Sequence, residues 1–345
     1  MRSFIYSLMT DKRKGGALEF VKLVLLMASV LYGMAIFVRA LLYRFGVCKS
    51  RKVPLKVISV GNLTLGGTGK TPFVIYLANL LEREMRRKTS VLIRGYGWDE
   101  QAMLKKDLPE TPVIVGEDRV RSSHRAVKLY GSDTAILDDG FQYWELVRDL
   151  NIVLVDSRNP FGNGFLFPRG ILRESKASLQ RADVVAFTKV NKRLFDLAGL
   201  EKEIRDINPH VSFIEAIHKS TSFVEFKTLK SQGLGLVANK RLVLISSIGD
   251  PEYFFLTAKD LGAEIVDHVI FDDHHDYRQS DVDDILRRCA GLDFDYIVTT
   301  EKDAVKLERM RFSFGKYHLL ILVIQTEVVS GKEMLIDRLN SLYTG

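Results

Sequence analysis

The stretch that decides the fold of the first half of the chain is Val57-Ile58-Ser59-Val60-Gly61-Asn62-Leu63-Thr64-Leu65-Gly66-Gly67-Thr68-Gly69-Lys70-Thr71-Pro72. Its β-branched start predicts a buried strand, and the apolar, helix-periodic segment from Phe73 to Leu81 predicts a helix. Glycines in the turn let backbone N–H groups approach a polyphosphate, and the helix N-terminus adds its positive dipole end. Strand, glycine turn, Gly-Lys-Thr and helix together predict a phosphate-binding loop.

Within this loop the residues have distinct expected roles. Lys70 is expected to reach the β- and γ-phosphates of a nucleotide, and the Thr71 hydroxyl is expected to hold Mg²⁺. The strict motif has Gly where this chain has Thr64, so a glycine-rich turn that binds no nucleotide is the alternative. The residues expected to surround the nucleotide are Thr64, Leu65, Gly66, Gly67, Thr68, Gly69, Lys70 and Thr71.

The composition indicates a folded protein with an anionic partner. The chain has 345 residues, of which 46% are hydrophobic and 27% charged, which allows two domains and excludes a disordered chain. A net charge of +7 favours a nucleotide, phospholipid or nucleic acid as partner. Since the chain has no RNA-binding signature or zinc-ligand spacing, we predict no nucleic-acid partner. Cys48 and Cys289 lie far apart, which fits a reducing cytoplasmic environment.

Residues 1–54 differ in character from the rest. An apolar segment without charges runs from Leu23 to Val38 and has basic residues on both flanks. A bilayer span needs about 20 apolar residues. Basic residues favour the cytoplasmic side, and a single span cannot keep both flanks there. We therefore predict a helix that lies in the cytoplasmic face of a membrane, with a buried core helix and a true single span as alternatives.

From residue 55 onward, strands and helices alternate. This pattern predicts a doubly wound parallel sheet over residues 55–208, with ligands beyond the carboxyl ends of its strands. Val211–Phe226 alternates like antiparallel strands, so residues 209–240 are predicted to be a strand-rich connector. A second α/β series, without a phosphate loop, predicts a smaller domain over residues 241–345. The expected fold is α/β, with two α/β/α sandwich domains, the first of the P-loop NTPase type.

Two polar stretches follow predicted strands in the first domain. Asp138 and Asp139 end an apolar strand, and in phosphate-loop proteins such an Asp holds Mg²⁺, although a simple turn is the alternative. The Gly- and Pro-rich run Phe161 to Glu174 predicts an active-site loop. Arg173 can neutralise charge on a transferring phosphoryl group and Glu174 can join the metal shell. A solvent-exposed ion pair is the alternative for these two residues.

Two further clusters carry weaker signals. Asp272-Asp273-His274-His275-Asp276-Tyr277 packs acid and imidazole together, and a His that orients or tunes a carboxylate is easier to build than two adjacent His ligands to a metal. By itself such a cluster is more often a polar loop. Thr188-Lys189-Val190-Asn191 is similar to the base-reading tetrapeptide of GTPases, but that motif ends in Asp. We therefore interpret it as a strand end.

Taken in order, these stretches resemble the motifs of the tetraacyldisaccharide 4′-kinases, the lipid A kinases of Gram-negative bacteria. The loop Gly61–Pro72 is similar to the family's signature loop, in which Thr or Ser also replaces the Gly of the strict motif. The resemblance covers nearly the whole chain. The other matching segments are Arg94-Gly95-Tyr96-Gly97, Asp99-Glu100, Leu137-Asp138-Asp139-Gly140-Phe141-Gln142, Phe161-Gly162-Asn163-Gly164, Leu172-Arg173-Glu174, Gly249-Asp250-Pro251-Glu252, Asp273-His274-His275 and Thr300-Glu301-Lys302-Asp303-Ala304.

The resemblance implies a membrane-associated N-terminal helix, ATP and Mg²⁺ as cofactors, and a lipid substrate. The implied reaction transfers the γ-phosphate to the 4′-hydroxyl of a tetraacylated glucosamine disaccharide 1-phosphate. The implied location is the cytoplasmic face of the inner membrane of a Gram-negative bacterium, as a peripheral or monotopic protein. The alternatives are a membrane-associated P-loop GTPase or ATPase with a regulatory role, and a nucleotide-binding partner protein that is not an enzyme.

The resemblance also implies roles for single residues. The family's catalytic Asp lies in a Gly-Asp-Glu-Pro segment that best matches Trp98-Asp99-Glu100-Gln101, with Asp118 as the competing assignment. The family's His partner matches His274. Arg169 stands where many members have Ala, and the resemblance does not indicate what it does. The expected catalytic residues are Asp99, His274, Lys70 and Arg173, the expected metal ligands are Thr71, Asp138, Asp139 and Glu174, and the expected substrate contacts are Arg94, Arg119, Gln142 and Asp273.

Overall fold

The computed structural model describes residues 7–11, 15–95, 97–190, 196–310 and 314–344. Lys12, Arg13 and Lys14 of the predicted basic flank, together with Tyr96 and Asn191 from two quoted motifs, lie outside the described residues. The helices are α1 Gly16–Arg44, α2 Lys70–Asn79, α3 Trp98–Asp107, α4 Arg119–Tyr130, α5 Leu197–Ile207, α6 Pro251–Asp260, α7 Gln279–Ala290, α8 Glu301–Met310 and α9 Lys332–Ser341. The strands are β1 Lys56–Asn62, β2 Thr89–Ile93, β3 Val113–Val115, β4 Thr134–Asp138, β5 Leu150–Asp156, β6 Val184–Thr188, β7 Ser212–Glu225, β8 Ser231–Gln232, β9 Arg241–Ser246, β10 Glu264–Ile270, β11 Tyr296–Thr300 and β12 Leu319–Ser330.

The chain folds into two compact units, each built from separate parts of the sequence. Unit 1 comprises Met1–Tyr96, Leu108–Ile217 and Thr326–Gly345, and unit 2 comprises Gly97–Asp107 and His218–Gln325. The chain passes from one unit to the other within β7 and again within β12. The predicted division into contiguous segments at residues 55, 209 and 241 stays a prediction.

The strands of unit 1 form a parallel sheet in the order β7-β6-β5-β1-β4-β2-β3. The central strand β1 is hydrogen-bonded to β4 on one side and to β5 on the other, with Val60 opposite Asp138 and Asn62 opposite Leu154. Every neighbouring pair in this order is parallel. The predicted α/β sheet is therefore confirmed. The loops after β1, β4 and β5 leave the same edge of the sheet, where ligands bind in such folds.

Unit 2 has its own parallel strands in the order β10-β9-β11-β12. Buried side chains of these strands form its cores, among them Val243, Ile245 and Val298. The predicted antiparallel strands over Val211–Phe226 are wrong in part. This segment is the single strand β7, which pairs in parallel with β6 and antiparallel with the short β8. On the side of β12 the Phe226 amide donates to the Leu319 carbonyl and the Thr221 hydroxyl donates to the Val323 carbonyl, so β12 also runs antiparallel to it. Alternation indicates that one side of a strand is buried, but it does not specify the direction of the neighbouring strand.

Helix α1 is longer than the predicted apolar segment. It has 29 residues, which corresponds to about 43 Å. Among the described residues, one helix is long and apolar enough to cross a membrane, and this is α1 from Leu18, with a mean hydropathy of 2.2 and only 11% of its most apolar window buried. The alternative of a buried core helix is therefore wrong. The interfacial helix stays a prediction.

Candidate active site

The phosphate loop is held between β1 and α2 by side-chain contacts to its middle. The Asn62 amide donates to the Thr68 hydroxyl at 2.9 Å, and the Thr188 hydroxyl donates to the Thr68 carbonyl at 2.9 Å. Gly66 and Gly69 have φ angles of 115° and 85°, which an L side chain rarely adopts. Sequence reasoning did not assign roles to Asn62 or Thr188. Their contacts show why the loop can keep its shape before any ligand binds.

The backbone N–H groups of the loop are not equally available. Leu65 donates to the Ile171 carbonyl at 2.7 Å and Thr68 donates to the Gly66 carbonyl at 3.1 Å. Helix α2 begins at Lys70 after the N-cap Gly69, and the first N–H groups of a helix have no partner within it. The amides at the start of α2 are therefore the ones positioned to bind an anion. Thr64 and Leu65 instead attach the loop to residues 171–172, since Thr64 also forms a bridge with Leu172.

The Asp139 carboxylate lies between two cations, Lys70 and Arg173, that a bound phosphate would need. It accepts two hydrogen bonds from Arg173, at 2.6 and 3.0 Å, and lies 3.7 Å from the Lys70 ammonium. Arg173 also donates to the Asn62 side-chain carbonyl at 3.2 Å. Burial would raise the pKa of Asp139, but Lys70 and Arg173 outweigh it and lower that pKa to about 2. The structure therefore brings two predicted site residues, Lys70 and Arg173, together around the carboxylate of a third, Asp139.

The other predicted metal ligands lie in different surroundings. Asp138 is buried at the end of β4, where a parallel strand aligns it with Val60 of β1. Thr71 is half-buried in the first turn of α2. Glu174 is buried and forms an ion pair with Arg181, which sequence reasoning missed. Across the described ranges there is no group of three His, Cys, Asp or Glu residues that would hold a metal by itself. Mg²⁺ often uses only one or two carboxylates and completes its shell with phosphate oxygens and water, so Thr71 and Asp138 fit this ion.

Unit 1 also contains an arginine-lined cavity of about 570 Å³. Two of its polar atoms are buried and have no hydrogen-bond partner among the described residues: Arg119 Nε and Gln142 Oε1. The Arg119 guanidinium lies 5.0 Å from the Tyr143 ring, and its pKa is lowered by burial. Guanidinium groups with unused donors are suited to a phosphate. The lining residues are Tyr32, Ile36, Arg39, Arg94, Glu117, Asp118, Arg119, Asp139, Gln142, Tyr143, Trp144, Glu145, Arg173 and Glu174.

The competing assignments Asp99 and Asp118 have different structural roles. Asp118 is the N-cap of α4, and its carboxylate accepts from the Arg121 amide at 2.9 Å. Asp99 is buried in the first turn of α3 in unit 2, where its Oδ2 lies 3.2 Å from His274 Nδ1. Gly97 makes room for it, because a Cβ at Gly97 would lie 2.8 Å from Asp99 Oδ1. The predicted pairing of Asp99 with His274 is therefore present in the structure.

Two lysines of α8 complete the surroundings of Asp99. The Lys302 and Lys306 ammonium groups lie 3.8 and 3.5 Å from Asp99 Oδ2. Lys302 also donates to Asp273 at 3.1 Å. Burial would raise the pKa of Asp99, but His274 and the two lysines outweigh it and hold that pKa well below its usual range. The bond to Asp99 raises the pKa of His274 against its burial. In the sequence, only the spacing of the two lysines, one helical turn apart, could have indicated that both lie near one carboxylate, and no prediction was based on it.

Three other stretches from the sequence take structural roles. Lys189 is buried and lies 2.5 Å from Asp156. Arg169, for which no role was predicted, forms two hydrogen bonds with Asp11 at 2.9 and 3.1 Å. His275, next to His274, pairs instead with Asp281 at 2.9 Å. None of these three contacts involves the phosphate loop. Thr188, the residue before Lys189, does contact that loop.

Comparisons with known proteins agree on one family. A family model described as tetraacyldisaccharide-1-P 4′-kinase matches residues 21–343. A tetraacyldisaccharide 4′-kinase of Syntrophus aciditrophicus is 38% identical, with 82% of this chain and 83% of that protein covered. One of Halothermothrix orenii is 33% identical, with 90% of each covered. A crystal structure of LpxK from Aquifex aeolicus in complex with ATP matches with a TM-score of 0.70 and 26% identity, covering 94% of this chain and 99% of that one.

Proposed function

Because the chain belongs to the tetraacyldisaccharide-1-P 4′-kinase family, we propose that it transfers the γ-phosphate of ATP to the 4′-hydroxyl of a tetraacylated glucosamine disaccharide 1-phosphate. The observation that carries this proposal is the pairing of Lys70 and Arg173 with one carboxylate, Asp139, directly beside the glycine loop. The regulatory GTPase alternative is set aside, because the family is one of kinases.

In this proposal the triphosphate of ATP takes the place of Asp139 as the partner of Lys70 and Arg173. Both cations already lie within 4 Å of one carboxylate, at 3.7 and 2.6 Å. The amides at the start of α2 supply further donors. Phosphoryl transfer depends mainly on positioning and on neutralising charge, so these groups are chemically sufficient for that part of the reaction.

Mg²⁺ is proposed to bind at Thr71 and Asp138, with Asp139 as a further candidate ligand. When bound, the ion neutralises charge on the β- and γ-phosphates. Glu174 can act as a ligand only if its ion pair with Arg181 opens. Replacement of Arg181 therefore distinguishes the two roles of Glu174. A metal ligand would become free to bind Mg²⁺, whereas a structural carboxylate would be left buried and unpaired.

Asp99 is proposed to accept the proton of the sugar hydroxyl. Its carboxylate stays ionised across the physiological pH range because its pKa is low. His274 is proposed to tune its basicity, since loss of the imidazolium proton removes one positive neighbour and makes Asp99 a stronger base. Asp273 is proposed to contact the substrate from the same segment of chain.

The cavity of unit 1 is proposed to receive the 1-phosphate end of the lipid. Arg94 and Arg119 would bind the phosphate and Gln142 would bind a polar group of the sugar through its partnerless carbonyl. Tyr32 and Ile36 bring α1 to the same cavity. An apolar helix at the mouth of a phosphate-binding cavity suits a substrate that carries acyl chains. We therefore propose attachment to the cytoplasmic face of the inner membrane through α1.

A direct assay tests the proposed reaction. Purified protein is incubated with γ-labelled ATP, Mg²⁺ and the tetraacyl disaccharide 1-phosphate in detergent micelles, and the lipid product is analysed for label at the 4′ position. Lys70→Ala is the matched control, because Lys70 binds phosphate in the proposal and supports no core packing. We expect labelled lipid with the wild type and none with Lys70→Ala. Equal labelling by both proteins would refute the role of the phosphate loop.

A further inference from the structure

The loop between β5 and β6 exposes two aromatic side chains. Phe165 and Phe167 are each 40% exposed, whereas Leu166 between them packs against the hydrophobic core of unit 1. Exposed apolar side chains that belong to a larger apolar patch indicate a surface that meets a partner or a membrane. The backbone of this loop is well fixed, because Phe167 donates to the Leu172 carbonyl at 2.8 Å and Gly170 donates to the Leu166 carbonyl at 2.9 Å. The exposure is therefore a property of a defined structure.

Helix α1 holds this loop with one narrow side. The Ser29 hydroxyl donates to the Leu166 carbonyl at 2.8 Å and accepts from the Arg169 amide at 2.8 Å. The Tyr32 ring lies edge-on to Phe167, with centroids 5.7 Å apart. The remaining sides of the helix carry exposed apolar side chains. These are Phe20, Val21, Leu23, Val24, Met27, Val30, Leu31, Met34, Phe37, Val38 and Leu42.

We propose that Phe165 and Phe167 form a second membrane contact, which enters the same anionic bilayer surface as the exposed face of α1. Phe167 contacts α1 directly at Tyr32, so this exposed side chain lies beside the helix that carries the exposed apolar residues. Basic residues accompany this surface, among them Arg39 and Arg44 of α1, which suits anionic head groups. The inference rests on the membrane attachment proposed above and extends it to a loop of the kinase core.

The same loop is tied to the phosphate loop. The Leu65 amide donates to the Ile171 carbonyl at 2.7 Å, and the Arg173 amide donates to the Leu63 carbonyl at 2.7 Å. Arg173 thus lies six residues beyond Phe167 on a segment that is fixed at both ends. We infer that binding of the loop to the bilayer holds Arg173 and the cavity at the membrane surface, where an acylated substrate is located.

Tryptophan substitutions test the contact. Phe167→Trp is the probe, Leu31→Trp on the exposed face of α1 is the positive control, and the exposed Leu129→Trp on α4 is the negative control. Each full-length variant is mixed with vesicles of phosphatidylglycerol and acyl-brominated phosphatidylcholine, and quenching is measured above that of the parent protein with its own Trp98 and Trp144. We expect quenching in Phe167→Trp and Leu31→Trp, and none in Leu129→Trp.

The outcomes separate the two proposals. If Leu31→Trp is quenched and Phe167→Trp is not, the loop contact is wrong while membrane attachment through α1 stands. If neither is quenched, the attachment itself is wrong. A second measurement uses Phe165→Ser with Phe167→Ser, which should weaken vesicle binding at least about tenfold and leave ATP affinity unchanged, with Leu129→Ser as the matched control. Vesicle binding equal to that of the control would overturn the inference.

Discussion

Replacement of Lys306 by Met tests the interpretation of the buried charge cluster in unit 2. The Lys306 ammonium is 2% exposed and lies 3.5 Å from Asp99, 3.6 Å from Asp303 and 2.7 Å from the Ser247 hydroxyl. Asp99 and Asp303 are themselves 2% and 0% exposed. Lys306→Met keeps most of the side-chain volume and removes the charge together with the hydrogen bond to Ser247, so it leaves two buried carboxylates with less compensation.

The size of the effect follows from these distances. At an effective dielectric constant of about 20, each of the two pairs has a Coulomb energy of roughly 4–5 kcal/mol, before the cost of desolvation is subtracted. Loss of one partner of a buried ion pair costs about 3–5 kcal/mol, and we expect a decrease of this size in the free energy of unfolding at pH 7. The matched control is Lys106→Met. Lys106 lies 3.7 Å from Glu308 with both side chains well exposed, so its loss should cost less than about 1 kcal/mol.

The pH dependence provides a second criterion. The folded-state pKa of Asp99 is depressed, so its ion pairs contribute stability that is fully present above the unfolded pKa of about 4 and is lost as pH falls through the lower folded value. Without Lys306 the folded pKa of Asp99 rises towards that of the unfolded chain. The stability difference between wild type and Lys306→Met should therefore stay constant from pH 7 to about 4 and narrow as pH falls below about 4 towards the lower folded pKa of Asp99.

The assay can report on unit 2 alone, because the chain has two tryptophans and each lies in a different unit. Trp98 belongs to unit 2 and Trp144 to unit 1. In a Trp144→Phe background, urea unfolding followed by fluorescence reports on Trp98. The reasoning is refuted if Lys306→Met costs no more than Lys106→Met, or if its cost is unchanged in an Asp99→Asn background. In the latter cycle we expect a coupling energy of about 1–3 kcal/mol.

Three further predictions concern the proposed reaction. Asp99→Ala and His274→Ala should each lower kcat, since a general base contributes typically 10²–10⁴-fold. The double variant should lose much less than the product of the two losses, because the residues act as one unit. A loss in kcat of the double variant equal to that product would contradict the dyad. Asp118→Ala should cost about 1 kcal/mol of stability through loss of the α4 N-cap, as measured by urea unfolding. It should leave kcat nearly unchanged in the kinase assay. A kcat loss as large as that of Asp99→Ala would make Asp118 the proton acceptor in place of Asp99. The kcat of the wild type should rise with pH as His274, whose pKa is raised above its ordinary value, loses its proton. If the pH–rate profile of His274→Gln shows the same rise, His274 is not the group that causes it.

The phosphate loop and the strands around it could be predicted from the sequence because their signals are local. A β-branched run, three closely spaced glycines and Gly-Lys-Thr follow one another within sixteen residues. Helix α2 begins at Lys70, within the Gly-Lys-Thr where its start is predicted, although the apolar periodicity begins only at Phe73. The motif residues at the start of a helix are polar and carry no apolar periodicity, so a pattern based on hydrophobicity misses its first turn.

Residue pattern and spacing alone predicted an α/β phosphate-binding unit and an apolar N-terminal helix, and the resemblance to a kinase family supplied the ordered series of motifs. The tertiary structure decided which of two plausible aspartates is paired with His274, since Asp99 and His274 are 175 positions apart and meet only through the packing of unit 2. It also decided that Lys306 is buried. From the sequence alone the neighbours of a helix are unknown, and a buried lysine one turn from another lysine cannot then be distinguished from a solvent-exposed one. The burial of a charge depends on the elements that cover it, and those elements come from distant parts of the chain.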